Sequence, residues 1–255
     1  LEEARRLFTT VDRANVMIKV PATEAGLPAI EELIAAGINV NVTLLFSVKA
    51  YERVAFAYVK GLEKLLRRGE KLRSVSSVAS FFVSRIDTLI DDRLVAQASK
   101  TEGKGDRAKI QSLMGRVAIA NAKIAYASYL NLIEGERWKA LERQGARPQR
   151  LLWASTSTKN PDYPKTMYVD ELVGPETVNT VPADTFKAFR ETGTAECRLT
   201  EDWDVNLSRA LTTMSDLSEV GLSMESATDE LLVEGVRKFT EPFDNLLESI
   251  ELKRR

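Results

Sequence analysis

The sequence predicts an α/β fold built from parallel strands joined by helical crossovers. Short apolar runs of strand character alternate with longer stretches of helical periodicity, the pattern of βα units. Most of these segments stop at a proline, a glycine or a capping hydroxyl. The 255 residues are 44% hydrophobic and 29% charged, an ordinary globular balance with enough apolar material for a sizeable core. Length alone does not separate one barrel-sized domain from two small ones.

Leu1, Ala4, Leu7, Phe8 and Val11 recur at helical spacing, so the sequence opens inside a helical pattern. No Met and no N-cap precede Leu1, and residue 1 is expected to be an arbitrary start. Asn15 to Val20 reads as a first strand stopped by Pro21, and Ala22 to Ala36 as a helix with Gly37 placed to end it. Ile38 to Leu45 is a second strand. Ser47 is a candidate N-cap for a long helix through Arg68, followed by Gly69. Ser74 to Phe82 is a third strand, and Ser84 a candidate cap for a helix through Leu94. The polar, glycine-containing stretch from Ser99 to Arg107 predicts an exposed loop. A long helix is expected from Lys109 to Leu132 and a short one from Arg137 to Arg143. Arg150 to Ser155 and Thr177 to Val181 are the fourth and fifth strands, the latter ended by Pro182, with a helix from Ala183 to Glu191. From Val205 onward the pattern is helical and amphipathic, in two or three pieces ending at Lys253, Arg254 and Arg255. Five strands fit an open sheet, or an eightfold barrel with three units lying before Leu1; the mid-helix opening favours the barrel.

Composition removes several chemistries. There is no histidine, which excludes Ser-His-Asp and Cys-His catalysis and His-ligated zinc. The single cysteine, Cys197, cannot form an internal disulfide and lies in a polar stretch, where a lone thiol is more often incidental than nucleophilic. A formal net charge of −1 gives no general attraction to nucleic acid. No run of ~18 apolar residues suggests a membrane span, and the first residues are not those of a secretory signal. A cytoplasmic location is the expectation.

Lys19 stands out by position. On the first strand Val16, Ile18 and Val20 share one face, expected to pack under helices, while Met17 and Lys19 share the other. An inward lysine is costly to bury, and desolvation favours the neutral amine that attacks carbonyls. From position alone, a strand-end lysine snorkelling to solvent is the commoner reading. The second strand adds Asn39, Asn41 and Thr43 on one face, an unusual polar row for a packed interior. The third is ambiguous, with serines on both faces. Arg85 and Lys159 follow the third and fourth strands, at the end where barrel sites lie, and two cations beside a helix start near Ser84 suit a phosphate.

These residues resemble a known family. The runs Val16–Leu27 (VMIKVPATEAGL), Gly37–Ser47 (GINVNVTLLFS), Ser80–Arg85 (SFFVSR) and Trp153–Pro161 (WASTSTKNP), then Tyr168–Leu172 (YVDEL) with Val178–Pro182 (VNTVP), are similar to successive transaldolase signatures, in the family's order across residues 1 to 190. The wording is most like the long bacterial transaldolases of actinobacteria and cyanobacteria, some of which are fused to a phosphoglucose isomerase domain.

The resemblance implies a (β/α)8 TIM barrel of the class I aldolase type, with about the first three strand units outside this sequence. Residues 1–255 would be one partial barrel domain, with barrel units over 1–200 and a C-terminal helical extension over 201–255. It implies Lys19 as the Schiff-base lysine and Thr43 as the holder of a catalytic water. Asn41 would bond the dihydroxyacetone unit, and Ser80 would line the substrate site. Arg85 and Lys159 would bind the sugar phosphate, with Ser155 or Ser157 beside them. Many members carry Arg where this sequence has Lys159, and a lysine binds as a point charge rather than a fork. In the family an Asp on the first barrel strand and a Glu on the third carry much of the proton transfer, and both strands are expected to lie before Leu1. No metal or organic cofactor is implied. The implied reaction moves dihydroxyacetone from sedoheptulose 7-phosphate to glyceraldehyde 3-phosphate. The competing expectations are a fructose 6-phosphate-type aldolase and a non-catalytic barrel fragment.

Overall fold

The structure is a computed structural model and describes residues 1–254. Five parallel strands form one sheet in the order β1-β2-β3-β4-β5. They are β1 (Ile18–Pro21), β2 (Val40–Leu45), β3 (Ser77–Phe82), β4 (Arg150–Ala154) and β5 (Thr177–Asn179). Strand order follows chain order without the reversal that marks a doubly wound sheet, so these are successive units of the (β/α) barrel type. The helices are α1 (Glu2–Val11), α2 (Gly26–Ala35), α3 (Val48–Arg67), α4 (Ser84–Ala98), α5 (Lys104–Ser112), α6 (Val117–Glu134), α7 (Glu136–Arg143), α8 (Met167–Glu171), α9 (Ala183–Thr192), α10 (Trp203–Glu219) and α11 (Met224–Arg254). No helix among the described residues is long and apolar enough to cross a membrane.

The helix-covered face of the sheet holds the core. Val40, Val42, Ala79, Phe81, Leu151 and Trp153 are all fully buried there. Each large apolar side chain so placed contributes about 1.5–3 kcal/mol relative to exposure. Phe81 meets Trp153 edge to face at 6.2 Å, and the indole N–H donates to Leu172 O at 3.0 Å, so the polar end of the tryptophan is satisfied as well.

Several boundaries differ from expectation for identifiable reasons. Residues 15–17 are not in a strand: the side chain of buried Asn39 takes up that segment, its amide donating to Ala14 O and Val16 O while its Oδ1 accepts from Ser76 N–H. Pro21 belongs to β1. Ile18 and Ala22 donate N–H toward β2, so the missing N–H of Pro21 falls on the other side of the strand and costs no bond to β2. Helix α2 begins four residues late, because residues 22–25 turn tightly: Thr23 Oγ1 accepts from Gly26 N–H, and a Cβ at Gly26 would lie 2.1 Å from Pro21 O. Ser47 caps α3 as expected, accepting from Ala50 N–H. Ser84 does not cap α4; it is the first helical residue, after Val83.

The stretch expected as a loop over 99–107 contains the start of α5, which packs on α4 and is held by Lys109, bridging Asp216 at 3.1 Å and Glu219 at 2.6 Å on α10. The single helix expected over 109–132 is two, α5 and α6, broken at Gly115, whose φ of +69° is left-handed. After the barrel units, α10 lies along α6, and α11 packs on α4 and β2. A Cβ at Gly235 of α11 would lie 2.8 Å from Leu44 Cδ2, so this glycine sets how closely α11 approaches β2.

Candidate functional site

The register places the expected site residues on one face. Lys19 pairs with Asn41 and Pro21 with Thr43 across β1 and β2. Ser80 on β3 donates to Asn41 Oδ1 at 2.7 Å, which fixes the orientation of that amide beside Lys19. The ambiguity of β3 is thereby resolved. Ser77 belongs to the other face, where it donates to Val40 O and accepts from Gln149. Asn39, expected on the inward row, is the strand-tying residue described above and not part of this group.

Thr43 is 4% exposed, and among the described residues its Oγ1 has no hydrogen-bond partner. A buried hydroxyl of this kind costs about 1–3 kcal/mol, so folding alone gives no reason for it. Immediately after it, β2 bulges: its register with β3 shifts between Val42 and Leu45, and Leu44 adopts φ 60°. Bulges of this kind re-aim side chains at barrel rims.

Lys19 is exposed, as the snorkelling reading of its strand-end position has it and unlike the desolvated amine of the alternative. Its strand neighbours Ile18 and Val20 are buried on the helix side as expected. Above the amine lies the ring of Phe239 from α11, 5.4 Å from Nζ to centroid. Among the described residues no side-chain carboxylate pairs with Lys19, Asn41 or Thr43.

Arg85 lies in the first turn of α4 and rests against the Phe82 ring at 5.2 Å. Beside it the end of β4 is joined to the start of α4. Val83 N–H donates to Ala154 O, Ser84 N–H to Ser155 O, and the hydroxyls of Ser84 and Ser155 are 2.8 Å apart. Ser155 itself has φ 57°, a conformation disfavoured for a residue with a Cβ and frequent at binding sites. Ser155 is thereby tied to Ser84, the residue before Arg85. Lys159 is exposed further along the same loop; its amine donates to Ser157 Oγ at 2.8 Å. Lys159 borders a cavity of about 240 Å³ walled by Asp87, Asp91, Tyr163 and Tyr168.

That acidic cluster was not foreseen from the sequence. Asp87 and Asp91 lie one turn apart on the inner face of α4. Tyr168 O–H donates to Asp87 Oδ2 at 2.8 Å, and Tyr163 O–H to Asp91 Oδ2 at 2.6 Å. The remaining oxygens accept from Ala118 N–H at 2.8 Å and Gly115 N–H at 3.1 Å. Burial pushes the Asp87 carboxyl up to about 7, against the pull of the Ala118 and Tyr168 bonds, and raises Asp91 and both phenols too. A signal was available: in the run from Ile86 to Leu94, acids at positions 87 and 91 share the helical face of the buried Ile90 and Leu94. No cluster of three or more His, Cys, Asp or Glu suited to a metal occurs among the described residues. Cys197 is exposed.

Comparison with known proteins gives a consistent picture. The family model described as Transaldolase/Fructose-6-phosphate aldolase matches residues 1–250. The chain is 48% identical over 258 residues to "Transaldolase 2" of Nostoc sp. (strain PCC 7120 / SAG 25.82 / UTEX 2576), covering 99% of this chain and 66% of that protein. It is 46% identical to "Transaldolase" of Trichodesmium erythraeum, again over 99% and 66%. To "Transaldolase 2" of Streptomyces coelicolor it is 46% identical, over 98% and 64%. The chain thus spans just under two thirds of the length of the curated relatives it matches.

Proposed function

The chain belongs to the transaldolase/fructose-6-phosphate aldolase family, and from that premise we propose that the protein is a transaldolase that carries a dihydroxyacetone unit on Lys19. The observation that supports this most is the register setting Lys19 beside Asn41, with Asn41 oriented by Ser80. The Lys19 amine attacks the ketose carbonyl, and water leaves to give an iminium. Cleavage of the C3–C4 bond releases an aldehyde and leaves an enamine on Lys19. The enamine then adds to the acceptor aldehyde, and hydrolysis frees the product. Asn41 is suited to bond the dihydroxyacetone hydroxyls, and the unpartnered Thr43 hydroxyl to hold the water consumed and released at the iminium. Arg85, Ser155 and Lys159 take the sugar phosphate, Arg85 as a fork and Lys159 as a point charge. Sedoheptulose 7-phosphate as donor and glyceraldehyde 3-phosphate as acceptor place the reaction in the non-oxidative pentose phosphate pathway, in the cytoplasm. The likeness to the long bacterial members makes a fused phosphoglucose isomerase domain an open part of this reading.

The second reading is an aldolase that releases dihydroxyacetone to water; the family's own description names both activities. Acceptor dependence separates them, since an aldolase turns over without a second aldehyde. The test of Lys19 is borohydride trapping with fructose 6-phosphate followed by peptide mass spectrometry. A dihydroxyacetone mass on the peptide containing Lys19 is expected. Retention of the whole hexose phosphate on that peptide means the lysine attacks but cleavage lacks its proton carriers. Absence of any adduct on the full-length protein overturns the proposal.

A further inference from the structure

Helix α4 meets the β4–α8 loop at two places. At its first residue, Ser84 bonds Ser155 through both backbone and hydroxyl. Seven residues on, Asp91 accepts from Tyr163. Seven residues of helix span about 10.5 Å, so the loop between Ser155 and Tyr163 is laid along the N-terminal half of α4. Ser157 and Lys159 lie between these two ties, and Arg85 lies between them on the helix. A third tie follows where Tyr168, in the first turn of α8, donates to Asp87.

Neither carboxylate is free to serve one partner alone. Each gives its second oxygen to an N–H at the entry to α6, Gly115 for Asp91 and Ala118 for Asp87. Three elements therefore converge on two buried acids. The Tyr163 ring is also held by shape. A Cβ at Gly115 would lie 2.8 Å from its Cζ, so the break between α5 and α6 forms the recess that receives the ring.

We propose that Tyr163 and Tyr168 are positioning residues for phosphate recognition: through Asp91 and Asp87 they fix the loop bearing Ser155, Ser157 and Lys159 against the first turns of α4, which carry Arg85. This rests on the reading that Arg85, Ser155 and Lys159 bind the sugar phosphate. Long lysine and serine side chains on an untied loop would bind an anion only after ordering the loop, and the ties remove that cost before the ligand arrives.

The test uses the full-length protein, with Tyr163→Phe and, as a second variant that removes the other phenol and leaves both acids and their backbone partners in place, Tyr168→Phe. Two quantities are read: amide hydrogen exchange over residues 156–162, and the Kd of inorganic phosphate by calorimetry. Loss of one bond to a charged group is expected to speed exchange in that segment about tenfold and to weaken phosphate about tenfold. If Tyr163→Phe does not fold by circular dichroism, Tyr168→Phe decides. Faster exchange with unchanged phosphate affinity would make the ties merely structural and overturn the proposal. Unchanged exchange in both variants overturns it as well, as does a wild-type protein that binds no phosphate. Trapping at Lys19 is scored separately, so failure of the aldolase chemistry is distinguishable from failure of this inference.

Discussion

Replacing Asp87 by Asn should alter how stability depends on pH while keeping the hydrogen-bond partners in place. The Asn carbonyl can accept from Ala118 N–H as Oδ1 does now, and its amide can donate to the Tyr168 hydroxyl, reversing that bond. What disappears is the titration. Burial raises Asp87 from 3.8 to about 7, so between those values the folded protein binds a proton that the unfolded chain has lost. Stability contributed by this residue is then greatest at low pH and falls as pH rises, reaching its full loss above about 7. At about 1.4 kcal/mol per pH unit, a shift of roughly three units corresponds to ~4 kcal/mol, of which about 3 kcal/mol falls between pH 5 and pH 8. Asp87→Asn should therefore gain on the wild type as pH is raised across that interval, and the gap should stop growing above about pH 7. Urea unfolding of both proteins at pH 5, 6, 7 and 8 measures this directly. A difference in unfolding free energy that stays constant over those four values would refute the raised titration of Asp87 and the burial argument behind it.

Two further outcomes follow from the site. Thr43→Val removes a buried hydroxyl that bonds nothing among the described residues. Stability by urea unfolding should be unchanged or raised by up to ~1 kcal/mol, while the rate of borohydride trapping at Lys19 falls by ~10²-fold or more; parallel loss of both would mean the hydroxyl is structural. Gly235→Val forces a side chain against Leu44, where even a Cβ would sit 2.8 Å from Cδ2, and should destabilise by about 2 kcal/mol in a thermal melt. An unchanged melting temperature would show that α11 is not held by that approach.

Much of the frame was legible because it depends on local periodicity. The β2 and β4 runs, the Ser47 cap and the short helix before Gln144 need only the residues within them. What escaped depends on distant partners. α5 is polar along most of its length and buries little beyond Ile110, so its helical state comes from α4 and from Lys109 reaching α10. The break at Gly115 makes sense only with the Tyr163 ring, 48 residues later, in place against it. In the site, Lys19 and Asn41 could be placed on one face from strand alternation, and the register pairs them, whereas alternation left Ser80 ambiguous until its bond to Asn41. The exposure of Lys19 could not, because alternation says which residues share a face and nothing about what lies above it. The family resemblance supplied roles for residues whose spacing alone left them open.

Asn39 bears on how readily such a protein can change its substrate. Its one amide joins the approach to β1 with the approach to β3 from a position just before β2, at the end of the sheet opposite Thr43 and Ser155. Fastening of this kind divides the molecule between two selective pressures. The tied end can stay fixed while loops at the other end lengthen, shorten or trade side chains. Drift toward a new sugar would then proceed through loops such as 155–166, and its tolerance would be set by how many strand-end ties like Asn39 remain intact.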